Sequence, residues 1–147
     1  MLNLVKLLYL ASKSNLIMSS TFYIEPTEKT PLVVMDALNE KFEIIGVSIP
    51  QDGREFYQPI LDWLTEYAKT PKKEMEFVLN LEYFNISSSK MILFILYKLQ
   101  EISASGVEIK IKWFFNSEEL LEAGEDYQFI SKLKFEYIET SKEYLVS

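Results

Sequence analysis

The stretch "LEYFNISSSKMILFIL", Leu81 to Leu96, starts like a strand and finishes like a helix, with Asn85, Ser87, Ser88 and Ser89 at the join. Just upstream, Glu76–Phe84 alternates apolar and polar residues, as a half-buried strand requires. Downstream, Ser88–Ile102 reads as a helix whose Met91–Leu96 segment is apolar nearly all round, which predicts deep burial. A helix start leaves backbone N–H groups without intrahelical partners, and Ser or Asn supplies an oxygen to cap them. The polar cluster is therefore a boundary in the first place, and its strand-to-helix order is the repeating unit of an α/β domain.

The same alternation of periods extends in both directions. Gly106 stands where a helix C-cap belongs, Val107–Phe115 alternates as a strand, Ser117–Leu133 is helical and Phe135–Ile138 is a last short strand. Upstream, Thr21–Glu25 reads as a strand, while Leu32–Ala37 and Lys41–Val47 form a hairpin across "LNE". Phe56, Ile60, Trp63, Leu64 and Tyr67 fall on one helical stripe, and Pro59 predicts that the regular helix starts near it, after a turn at Arg54–Tyr57. The resulting order, β-β-β-α-β-α-β-α-β, predicts one α/β domain with a mixed, partly parallel sheet and about three helices.

Composition removes whole classes of function. The chain has neither His nor Cys, so disulfides, thiolate metal sites, His-containing triads and the usual neutral-pH base are all excluded. An enzyme would have to rely on carboxylates, Lys, Tyr or Ser, and nothing in the sequence sets a base beside a nucleophile. No cofactor is expected, and no P-loop glycine pattern is present. A net charge of −7 repels nucleic acid and anionic lipid, which leaves proteins as the expected partners. The cysteine-free composition fits a cytoplasmic location.

The first residues, "MLNLVKLLYLASKSNLI", are too short and too interrupted by lysine to span a membrane, and they make a poor signal peptide. They read as an amphipathic helix on the domain or as an extension before Met18. The extension is preferred, because domain patterning begins only after Met18; the expected division is residues 1–18 and 19–147.

Four places invite a functional reading. At Asn85–Ser89, capping competes with the fact that α/β proteins gather binding sites beyond strand carboxyl ends. A helix N-terminus also tolerates an added phosphate, so the join would serve as a switch without catalysis. Phe56 and Tyr57 offer aromatic contact area to a partner, against the alternative that they belong to the core stripe. Glu118, Glu119, Glu122, Glu125 and Asp126 read as a solvated acidic face, because their spacing along a helix does not converge on a cation. Thr27 and Thr30 lie in a loop, and Thr30 before Pro31 reads as a turn into a strand.

Taken in order, "TPLVVMD", "FEIIGVSIP", "FYQPILDWLTEY", "LEYFNISSSK" and "KWFFNSEELLEAGEDY" resemble the SiaC-type bacterial regulatory phosphoproteins. The resemblance covers roughly Thr21 to Glu139. It implies a STAS-like fold, related to anti-sigma-factor antagonists, and a non-enzymatic partner-switching role. Such a protein is phosphorylated by a cognate kinase, dephosphorylated by a metal-dependent phosphatase, and binds a downstream target such as a diguanylate cyclase. The family commonly carries Asn-Thr-Ser-Ser at the join, with the Thr as phosphoacceptor. This chain has Asn85-Ile86-Ser87-Ser88, so the matching position has no hydroxyl. Two readings stay open: Ser87 or Ser88 takes over as acceptor, or the protein is fixed in its target-binding state.

Overall fold

The computed structural model describes residues 3–6 and 21–141, so the expected boundary at residue 18 lies outside the described residues. Strands β1 (Thr21–Ile24), β2 (Leu32–Asp36) and β3 (Lys41–Ser48) lead into α1 (Gly53–Tyr67). Then β4 (Glu74–Phe84), α2 (Ile86–Ala104), β5 (Glu108–Phe115), α3 (Glu118–Ser131) and β6 (Lys134–Glu139) alternate to the end. The six strands lie in one sheet in chain order. β1, β2 and β3 pair antiparallel, whereas β3 to β6 are parallel. The element order and the mixed α/β sheet are those expected from the sequence.

Each parallel crossover is a helix. Parallel crossovers are right-handed as a rule, and three of them advancing in one direction place all three helices on the same side of the sheet. Strand alternation records this one-sided cover: Met75, Phe77, Leu79 and Leu81 are buried, while Glu74, Glu76 and Glu82 are exposed. On the uncovered side, Lys110–Glu136 (2.7 Å), Lys112–Glu76 (3.3 Å) and Lys134–Glu108 (3.4 Å) form cross-strand ion pairs. Exposed pairs of this kind contribute little stability, and the helical side holds the core.

Two aromatic groups organise that core. Trp63 stacks on Tyr67 at 5.3 Å and sits 5.8 Å from Phe42, which docks α1 on β3. Trp113 of β5 is 1% exposed and donates its indole N–H to the Leu120 carbonyl at 2.9 Å. Gly124 lets α3 approach this ring; a Cβ there would lie 2.6 Å from it.

The start of α1 corrects one expectation. The helix begins at Gly53, ahead of Pro59, because the Asp52 carboxylate accepts from the Glu55 N–H at 3.1 Å and caps it. Pro59 lies inside the helix but faces solvent, where water can meet the carbonyl whose donor the ring removes. At the other end of α2, Gly106 takes φ +111°, the conformation expected of a glycine just past a helix.

Candidate functional site

Asn85 closes β4 and opens α2. Its side-chain oxygen accepts from the Ser88 N–H at 2.9 Å, and its amide donates to the Pro50 carbonyl at 3.2 Å. Its backbone N–H reaches the Ser48 carbonyl at 3.0 Å. Besides capping α2, Asn85 therefore ties the turn to the end of β3 through two groups, its amide and its backbone N–H, which is more than a cap alone requires.

The following residues divide sharply by exposure. Ile86, the first residue of α2, is 88% exposed. Ser87 is exposed, and its hydroxyl donates to Asn85 Oδ1 at 3.2 Å. Ser88 is wholly buried: its Oγ lies 2.8 Å from Ser48 Oγ and 3.2 Å from the Ser48 carbonyl. Ser89 is partly exposed and donates to the Ile86 carbonyl at 2.7 Å, while its own carbonyl accepts from Tyr127 OH at 2.8 Å. Of the serines at the join, Ser87 is the one that faces solvent, and Ser88 is sealed.

Tyr57 does not present contact area. It is wholly buried, its hydroxyl lies 2.6 Å from Ser48 Oγ, and desolvation raises its pKa to about 12. Phe56 packs edge-on against it at 4.9 Å and is left partly exposed. Exposed aromatics lie elsewhere, at Tyr23, Tyr83 and Phe129 and along α2. Met91, Ile92, Ile95 and Leu96 of α2 are buried as expected, but Phe94 is 37% and Tyr97 39% exposed. With Ile86 and Lys90 they occupy positions i, i+4, i+8 and i+11, one outward stripe. That spacing was visible in the sequence, hidden by the uniform apolarity of the segment.

Beside the join, the starts of α1 and α2 abut. A Cβ on Gly53 would lie 2.7 Å from Ser87 Oγ and 2.9 Å from its backbone. The hollow between them, ≈ 690 Å³, is lined by Asp52, Arg54, Glu55, Ser87, Lys90 and Phe94, with charges of both signs. A second hollow of ≈ 540 Å³, on the open side of the sheet, is lined by Ile45, Asn80, Phe114 and Ile138 with the exposed carboxylates of Glu82 and Glu139. Neither arrangement sets a base against a nucleophile. The acidic residues of α3, Glu118, Glu119, Glu122, Glu125 and Asp126, are all exposed, and Thr27 and Thr30 bond each other at 2.6 Å within their loop. Among the described residues, no group of three acidic, His or Cys side chains could hold a metal ion. No helix among them is long and apolar enough to cross a membrane.

These features define an α/β domain whose distinctive site is a rigidly held, outward-facing helix start rather than a cleft of reacting groups. The description "SiaC family regulatory phosphoprotein" fits residues 24–140 of this sequence, and the chain belongs to that family. Apo-SiaC from Pseudomonas aeruginosa superposes with a TM-score of 0.75 at 24% identity, over 81% of this chain and 98% of that one. A structure of the P. aeruginosa diguanylate cyclase SiaD with its activator SiaC matches equally, at TM-score 0.75 and 24% identity, over 81% and 99%. At that identity the likeness establishes the fold. An uncharacterized protein of P. aeruginosa strain UCBPP-PA14 is 26% identical over 111 residues, 74% of this chain and 88% of that protein.

Proposed function

We propose that this chain is a non-enzymatic signalling adaptor of the cytoplasm. It binds a downstream protein, a diguanylate cyclase by analogy with the SiaD–SiaC pair, through the start of α2 and the stripe Ile86, Lys90, Phe94 and Tyr97. The observation that carries this is Ile86: a large aliphatic side chain 88% exposed on a turn fixed on both sides. Exposed apolar groups on a pre-ordered turn favour a protein partner, since little conformational entropy is lost on binding.

Control by a kinase and a metal-dependent phosphatase belongs to the same reading. Ser87 is its acceptor, because Ser88 is sealed and Ser89 is only partly exposed, with its hydroxyl held at 2.7 Å against 3.2 Å for the Ser87 contact to Asn85. The first turn of α2 carries no acidic residue, whereas those of α1 and α3 do, so a phosphate on Ser87 would meet uncompensated positive helix dipole. A second reading rests on Ile86 itself. With no hydroxyl at the most displayed position, the protein would stay in its target-binding state.

Purifying the tagged full chain from its own cells, followed by mass spectrometry, tests both. A cyclase should co-purify, and Ile86→Asp should reduce its recovery at least tenfold. Phosphate on Ser87 supports the switch, and its absence under every growth condition leaves the fixed adaptor. Unchanged partner recovery by Ile86→Asp and Phe94→Ala together would sink the surface assignment.

A further inference from the structure

Beneath the displayed turn lies a closed set of hydroxyls contributed by three elements. Ser48 ends β3, Tyr57 comes from α1 and Ser88 from the first turn of α2; all three are wholly buried. Ser48 Oγ stands 2.6 Å from Tyr57 OH and 2.8 Å from Ser88 Oγ, and Ser88 Oγ donates to the Ser48 carbonyl at 3.2 Å. Each hydroxyl has a single proton, so each can donate to only one partner at a time. When Ser88 donates to the carbonyl, Ser48 is left to donate to Ser88 and Tyr57 to Ser48; in either sense of donation the two outer hydroxyls meet at Ser48 Oγ. The Ser48 carbonyl is then filled by Ser88 Oγ and the Asn85 N–H. On the opposite side, Tyr127 of α3 donates to the Ser89 carbonyl at 2.8 Å.

We propose that the hydroxyl chain Tyr57–Ser48–Ser88, with Tyr127 as a second and independent anchor, sets the pose of the Ile86–Ser87 surface from inside the protein. These are positioning residues: a partner reading that surface cannot touch Tyr57 or Ser48, yet the turn it meets is held where they put it. Serial hydrogen bonds in a dry interior reinforce one another, so Tyr57 and Ser88 act through one shared oxygen and should not behave as separate contributors. The consequence for target affinity rests on the reading of that surface as the binding site; the hydroxyl chain itself does not.

Amide hydrogen exchange by NMR on the full-length protein tests the hydroxyl chain without any partner. Tyr57→Phe keeps the ring and deletes the hydroxyl. The amides of Asn85, Ser88 and Ser89 should then exchange about tenfold faster, while those in the middle of α2 and in β5 keep their wild-type rates. A uniform acceleration across the domain would mean a merely structural role and would overturn the proposal, as would unchanged exchange at the join. Ser88→Ala is the gentler variant if Tyr57→Phe fails to fold, and the same local pattern is expected. Combined, Tyr57→Phe and Ser88→Ala should accelerate the join less than the product of their separate factors. Tyr127→Phe should multiply independently with either. Simple multiplication of the Tyr57 and Ser88 effects would refute the shared oxygen. Faster local exchange with undiminished affinity for the co-purifying cyclase leaves the hydroxyl chain standing, and it is then the surface assignment that fails.

Discussion

At the start of α3, Ser117 accepts from the Leu120 N–H at 3.2 Å, and at the start of α2, Asn85 accepts from the Ser88 N–H at 2.9 Å. The two caps are equivalent locally, but their surroundings differ. Ser117 is exposed and followed by Glu118 and Glu119, which complement the helix dipole, and the helix is secured further along by Gly124 against Trp113. Asn85 is followed by exposed Ile86 and Ser87, with no acid in the turn; it is itself bonded to Ser48 and Pro50, while Tyr57 of α1 reaches the turn through Ser48 and Tyr127 of α3 through Ser89. A cap that only ends a strand and begins a helix needs one hydrogen bond. The α2 join has several converging on it, and it leaves apolar surface and free dipole facing outward.

The largest effect expected is at α3. Gly124→Ala places a methyl group 2.6 Å from the Trp113 ring, which the helix cannot clear without shifting. Overpacking of this kind costs about 3 kcal/mol and should lower the thermal midpoint, read by circular dichroism. The amides of Asn85 and Ser88, tied through Ser48 and Asn85 rather than through α3, should keep their relative protection; a selective loss at those two would erase the distinction between the two starts.

Alkaline pH strikes the α2 side. The pKa of Tyr57 is raised to about 12 by burial, and Tyr127 is raised too, first by burial. A tyrosine whose pKa is higher in the folded state contributes stability that is constant below its unfolded value of about 10 and is lost as pH climbs above it. Denaturant titrations should show stability falling by about 1.4 kcal/mol per pH unit for each such tyrosine between about pH 10 and 12. Tyr57→Phe should flatten that slope, and an unchanged slope would remove Tyr57 from the account.

Truncating the caps compares the joins directly. Asn85→Ala should cost about 2 kcal/mol and Ser117→Ala about 1 kcal/mol, measured by chemical unfolding, because Asn85 also loses its bond to the Pro50 carbonyl. Equal costs would mean that the extra ties of the α2 join add nothing. The smallest effect belongs to Ile86. At 88% exposure, Ile86→Thr should alter stability by less than about 0.5 kcal/mol while placing a hydroxyl at the displayed position. Incubation with the kinase that co-purifies should then yield phosphate at residue 86, and failure to label would argue that the first turn is not what a kinase reads.

Much of the architecture was legible because period and punctuation agree. Alternation marked β4 and β5, the helical stripe marked α1, and Gly106 marked the end of α2. Pro59 misled, because a proline's cost in a helix depends on whether the orphaned carbonyl faces solvent, and sequence does not give the facing. Tyr57 was left open between core and surface for the same reason. Two neighbouring aromatics, Phe56 and Tyr57, are separated by about 100° on a helix, and only docking against β3 decides which of them is buried.

The amino-acid order was enough to establish the α/β alternation, the absence of His and Cys chemistry, the polar strand-to-helix join and the missing hydroxyl at Ile86. All of these follow from local pattern or from residue identity. Which serine is displayed and which is sealed required the fold, as did Ser48 and Tyr127 as anchors of the turn and the outward stripe of Phe94 and Tyr97. Those roles are set by hydrogen bonds and packing between residues up to 40 positions apart in the chain, and no local window contains both ends of such a contact.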